Sequence, residues 1–153
     1  MNTTQRLTEL GITWPAVATP VGSYVTATRV GDLVYTSGQL PLVDGQMQYP
    51  GVVGAGVTLD EARAAARICG LNALAAASGA VGGVDNIARI VKATVYVASA
   101  PSFVSQPEVA NGASDLFTQI FDDAGKHVRC AVGVTALPLG APVEVELIVQ
   151  AAD

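Results

Sequence analysis

The hydrophobic pattern is sharpest near the C-terminal end, where Val143, Val145, Leu147 and Val149 alternate with Glu144, Glu146 and Ile148. Alternation of that kind predicts a strand with one buried face. A second alternating run precedes it, with Cys130, Val132 and Val134 on one side and Arg129, Ala131, Gly133 and Thr135 on the other. Residues 137–142 (Leu-Pro-Leu-Gly-Ala-Pro) have the composition of a tight connection, so the two runs predict a closing hairpin. Stacking the apolar rows fixes its register, because a slip of one residue would bury the glutamates. That register puts Arg129 on the same face as Glu144 and Glu146, with only small residues beside it. The opening reads as a ligand cleft shared with another subunit.

The rest of the chain supplies the elements that carry this hairpin. Residues 1–20 hold a short amphipathic piece (Leu7, Leu10, Ile12, Trp14) and then Pro15 and Pro20, the pattern of an arm lying on the body. Strands are predicted over 23–29 and 33–38, joined by Gly31-Asp32, a short hairpin signal. Residues 39–57 are rich in Pro and Gly and predict an irregular path with a short strand near Met47. Thr58 and Glu61 form a capping box that starts a helix running to Ser78, with Gly79 suited to a left-handed end. A strand over 88–97 follows. Ser105 and Glu108 read as a second capping box, after which Val109, Ala113, Leu116, Phe117 and Ile120 recur at helical spacing up to a stop at Gly125. The order β-β-α-β-α-β-β predicts a single α+β domain over 1–153, with two helices on one face of a mixed or antiparallel sheet. The other face is then left for a second subunit to cover.

Composition narrows the function classes. In a chain of 153 residues half are apolar and only 14% are charged, which favours an oligomer interface. The net charge of −5 leaves no basic footprint for nucleic acid or for an anionic membrane. Neither a span of about 20 apolar residues nor a signal-peptide block is present, so the cytosol is the expected compartment. Cys69 and Cys130 both fall among apolar neighbours and read as packed, reduced thiols. His127 is the only histidine and no ligand-type spacing surrounds it, so no metal is expected.

Three stretches resemble the Rid family (reactive intermediate/imine deaminase, also called YjgF or L-PSP endoribonuclease). These are Val30-Gly-Asp-Leu-Val-Tyr-Thr-Ser-Gly-Gln-Leu-Pro41, the spacing of Arg129, Pro138 and Glu144, and the helix Ala110-Asn-Gly-Ala-Ser-Asp-Leu-Phe117. The resemblance implies a chorismate-mutase-like subunit in a homotrimer, with a cleft between neighbouring subunits. It implies that Arg129 binds the carboxylate of a 2-imino or 2-enamino acid, through the planar fork of its guanidinium. It also implies that Glu144 positions the attacking water, and that Tyr24, Ser37 and Asn111 line the cleft. No cofactor is implied, since an imine is already electrophilic. The chain departs from the family at Ala131, where Cys or Thr is usual, at Ala110, around Tyr24 (Gly22-Ser-Tyr-Val-Thr26) and at His127.

Alternatives stand beside these readings. Arg129 could pair internally with Glu146, the glutamates could form a solvated strand face, and Asn111 could lie on the polar side of its helix. His127, two residues before Arg129, is a candidate general base. At the level of function, an imine deaminase is set against a non-catalytic sensor of small carboxylates. An endoribonuclease is disfavoured by the acidic charge balance.

Overall fold

The computed structural model describes residues 1–20 and 22–153. Two strands, β1 (Ala27–Val30) and β2 (Leu33–Thr36), form the hairpin signalled by Gly31-Asp32. The irregular stretch then carries two small pairs: β3 (Leu42–Val43) with β4 (Gln46–Met47), and β5 (Val52–Val53) with β6 (Gly56–Val57). The long elements follow as helix α2 (Leu59–Gly79), strand β7 (Ile87–Ala98), helix α3 (Gln106–Phe121), strand β8 (Val128–Val134) and strand β9 (Val143–Ala151). Ahead of them all, α1 (Thr3–Glu9) is tied down by buried Leu7 and by Thr4, whose N–H and hydroxyl both donate to Asp85 at 2.8 Å. The main sheet runs β1-β2-β9-β7-β8, so the order β-β-α-β-α-β-β and the mixed α+β layer hold, with α2 and α3 on one face. Among the described residues no helix is long and apolar enough to cross a membrane.

Helix α2 begins as its sequence dictates: Thr58 Oγ1 accepts from the Glu61 N–H and Glu61 Oε1 from the Thr58 N–H, both at 3.1 Å. Its alanine-rich face lets α3 approach closely. A Cβ at Gly112 would run into the Arg63 carbonyl, and one at Gly70 would lie 3.0 Å from Ala113 Cβ. Two expected helix ends differ. Gly79 stays helical and a right-handed Ala80 caps it, because Ala80 and Val81 still pack on the core; the left-handed turn comes at Gly82 (φ +81°). Ser105 (φ −95°, ψ 33°) is not extended and makes no side-chain cap, while Glu108 faces Arg63 of α2 instead, at 4.0 Å. Helix α3 stops at Phe121, and a 3-10 turn over Asp122–Gly125 completes the descent to β8.

The closing hairpin does not form. Strand β7 lies between β8 and β9, parallel to the first and antiparallel to the second. Helix α3 is a crossover, and a strand–helix–strand crossover returns a parallel neighbour rather than a hairpin partner. In this register Ala93 sits opposite both Arg129 and Leu147, and Tyr96 opposite both Val132 and Glu144. Arg129, Ala131 and Gly133 therefore share the helix-covered face with Ala93, Val95 and Val97. Cys130, Val132 and Val134 share the other face with Glu144 and Glu146. The small residues beside Arg129 make room for the fold itself: a Cβ at Gly133 would lie 2.8 Å from Gln106 Nε2 and 3.2 Å from Ser99 Oγ. Cys130 is consequently exposed, whereas Cys69 is buried with its thiol donating to the Val143 carbonyl at 3.4 Å. The face opposite the helices is uncovered, leaving Val132 43% and Val128 66% exposed on the edge strand.

Candidate functional site

Because β8 turns Arg129 toward α3, the guanidinium meets residues spaced three apart on that helix. Arg129 Nη1 donates to Asn111 Oδ1 at 2.7 Å and to Ser114 Oγ at 3.1 Å. Both partners are neutral, and among the described residues no carboxylate lies within ion-pair distance of the arginine. The internal pair with Glu146 is not made: Glu146 Oε1 accepts from the Tyr96 hydroxyl at 2.9 Å, on the other side of the sheet. In front of Arg129 opens a cleft of about 260 Å³, lined by Ser114, Asp115, Thr118, Lys126, His127 and Arg129.

His127 belongs to the same cluster. Its Nδ1 lies 2.6 Å from the Gly125 carbonyl and its Nε2 lies 2.9 Å from Ser114 Oγ. A carbonyl oxygen can only accept, so Nδ1 carries the proton, and in the neutral ring Nε2 accepts the Ser114 hydroxyl. The edge of the imidazole packs against Phe117, with ring centroids 5.4 Å apart. Ser114 was not among the residues singled out by sequence. Its signal is its place three residues after Asn111 on one helix face, legible once Asn111 is taken as part of a site.

The remaining residues form a second cluster. Glu144 stands on the uncovered face with its carboxylate against the backbone of Gly38, where a Cβ would collide with it. Gln39 exchanges two backbone hydrogen bonds with Val145 (2.8 and 3.0 Å), which holds residues 37–39 beside β9. Ser37 Oγ donates to the Val25 carbonyl at 2.6 Å, and Tyr24, next to Val25, is 48% exposed. One chain thus brings Arg129 together with Asn111, and Glu144 against Gly38, the residue after Ser37, whose hydroxyl is turned to Val25 beside Tyr24. It does not bring Arg129 to Glu144. They are on opposite faces, offset by three residues and two strand spacings, about 10 Å in each direction.

Burial raises the Glu144 carboxyl above its ordinary value, and neighbouring Glu146 adds to the effect. The folded chain then holds this proton to higher pH than the unfolded chain does, so its contribution to stability falls as pH rises through the window above the ordinary glutamate value. Glu144→Gln is expected to melt higher than the parent at pH 7. That advantage should shrink as pH is lowered from 7 towards 4.5, the ordinary value, and change no further below it. Melting curves across this range check it, and an advantage that does not change with pH would contradict it.

Comparison with known proteins agrees with this architecture. The family model described as "YjgF/chorismate mutase-like, putative endoribonuclease" matches residues 4–150. Protein TCP17 of Trypanosoma cruzi is 46% identical over 145 residues, covering 94% of this chain and 91% of that protein. The 2-iminobutanoate/2-iminopropanoate deaminase of Dermatophagoides farinae is 30% identical, covering 90% of this chain and 93% of the relative. Among solved structures, Atu1372 of Agrobacterium tumefaciens, of unknown function, superposes with a TM-score of 0.89 at 41% identity, over 97% of this chain and 92% of that one. TdcF of E. coli, solved with bound serine, gives 0.59 at 25% identity over 90% and 93% of the two chains.

Proposed function

Since the chain belongs to the YjgF/chorismate mutase-like family, we propose that it hydrolyses small 2-imino and 2-enamino acids to 2-keto acids and ammonia in the cytosol, as a homotrimer. The observation that carries this reading is Arg129: a guanidinium held in place by two neutral acceptors at an open cleft, with no anionic partner among the described residues. A carboxylate fits that fork bidentately, and fixing it would place the adjacent C=N carbon for attack.

Proton handling falls to Glu144. Burial makes its carboxylate a stronger proton acceptor than an exposed glutamate, which favours taking a proton from water and returning it to the departing amine. The separation of Glu144 and Arg129 within a chain supports a cleft shared between copies. In that cleft the Glu144, Ser37 and Tyr24 cluster of one subunit faces the Arg129 and Asn111 cluster of the next. No cofactor takes part in this scheme.

Two measurements test the proposal. Pure protein added to freshly generated 2-iminopropanoate should speed ammonia release, and its solution mass should equal three chains. Failure to accelerate several different imino acids would remove the deaminase reading, and a monomer in solution would remove the shared cleft. A non-catalytic carboxylate sensor is the second reading. Ala131 favours it, since that position on the Arg129 face packs against the core and offers no polar group for a water. Saturable thermal stabilisation by keto or amino acids without turnover would decide for the sensor.

A further inference from the structure

The Ser114–His127 pair has a geometry that anchoring a carboxylate does not require. The hydroxyl lies 2.9 Å from Nε2, and Nδ1–H is committed to the Gly125 carbonyl (2.6 Å), so in the neutral ring Nε2 is the nitrogen that accepts the hydroxyl proton. A nucleophile, a base and a group that orients the base is the arrangement by which serine is activated for covalent catalysis, with a backbone carbonyl here in the orienting role. Arg129 adds a third element, since Nη1 donates to Ser114 Oγ at 3.1 Å and brings a positive charge to where an adding carbonyl would sit. All three side chains line the same cleft of about 260 Å³, which suits a compact acyl group. Phe117 packs against the imidazole, with its ring inclined 77° to it.

We propose that Ser114 is the nucleophile of a second, acyl-transfer activity of this chain, with His127 as its base, acting on esters of small carboxylic acids. Ser114 Oγ adds to the ester carbonyl carbon while its proton passes to His127 Nε2. The oxyanion is met by the N–H groups of Arg129 that Asn111 and Ser114 leave unused. Collapse breaks the bond to the alkoxy oxygen, which leaves as the alcohol with the proton from Nε2. Water then gives a proton to Nε2 and its oxygen to the acyl carbon, and Ser114 departs with that proton as the acid is released. The balance is ester plus water to acid plus alcohol, with no other reactant. This inference stands on the cleft with Ser114, His127 and Arg129 and does not rest on imine hydrolysis.

The test is covalent labelling of the full-length wild-type protein with an alkyl fluorophosphonate, read by intact mass and peptide mapping. The expected result is one phosphonyl group per chain, on Ser114. His127→Gln should label at least about 100-fold more slowly, the scale of a lost general base, and p-nitrophenyl acetate should give an acyl burst only when Ser114 is present. Because the wild type supplies the primary readout, a variant that fails to fold does not remove the test, and Ser114→Thr serves as a milder second variant. No adduct, an adduct on another residue, or equal labelling in folded His127→Gln would overturn the proposal. The label reads the serine itself, so its absence leaves ammonia release from imino acids to be judged separately.

Discussion

Arg129→Ala is expected to lose roughly 10²- to 10³-fold in kcat/KM for imino-acid hydrolysis, the scale of a charge-assisted hydrogen-bonded pair removed from a binding site. Much of the loss should appear in KM, since the carboxylate is held in ground state and transition state alike. The variant should still fold. Asn111 is exposed and Ser114 lies at the cleft, so both regain water when the guanidinium goes, and no buried partner is orphaned. Arg129→Lys should restore only part of the activity, because an ammonium offers a point charge in place of a planar fork. Steady-state ammonia release on the three proteins, with their melting temperatures alongside, checks this. Full activity in a folded Arg129→Ala would reject the arginine as anchor.

Phe117→Ala should have the largest effect on stability, a loss of about 3–5 kcal/mol. The ring is fully buried where α3 meets α2, within 3.2 Å of where a Cβ at Gly70 would stand, so neighbouring backbone cannot collapse into the space. Its edge contact with His127 adds about 0.5–1.5 kcal/mol to the burial. Denaturant titration should give a lower midpoint at an unchanged slope. Phe117→Leu keeps most of the apolar volume and should recover much of the loss, while leaving the imidazole without its aromatic wall. Equal stability of Phe117→Ala and the parent would mean that this crossing is not where the core is held.

Much of the scaffold was legible because the signals concerned are local. Thr58 and Glu61 satisfy each other within one turn, Gly31-Asp32 reverses the chain in two residues, and Val109 to Ile120 mark their own buried stripe. Pairing of β8 was not legible, for a physical reason. Alternation divides a strand into two faces but does not say which neighbour it meets or which face is covered. On an edge strand the covered side can carry Ala131 and Gly133 while Val132 lies 43% exposed, so the apolar row misleads. Arg129 and Asn111 are both candidates in the sequence, and the structure places them in contact. His127 lands beside Arg129 although β8 starts one residue after it, because the 3-10 turn delivers it to the helix side. Ser105 and Gly79 show the limit of end signals, since packing between helices reassigned Glu108 and delayed the left-handed turn to Gly82.

The placement of Arg129 and Glu144 on opposite sides of one sheet has a practical consequence for redesign. With strand β7 between them within one chain, substitutions around the two should have additive effects on folding stability. Tolerance of the fold can then be mapped separately along α3 and at the Gly38 contact, whereas effects on turnover, which meet on one substrate in the shared cleft, call for combined libraries.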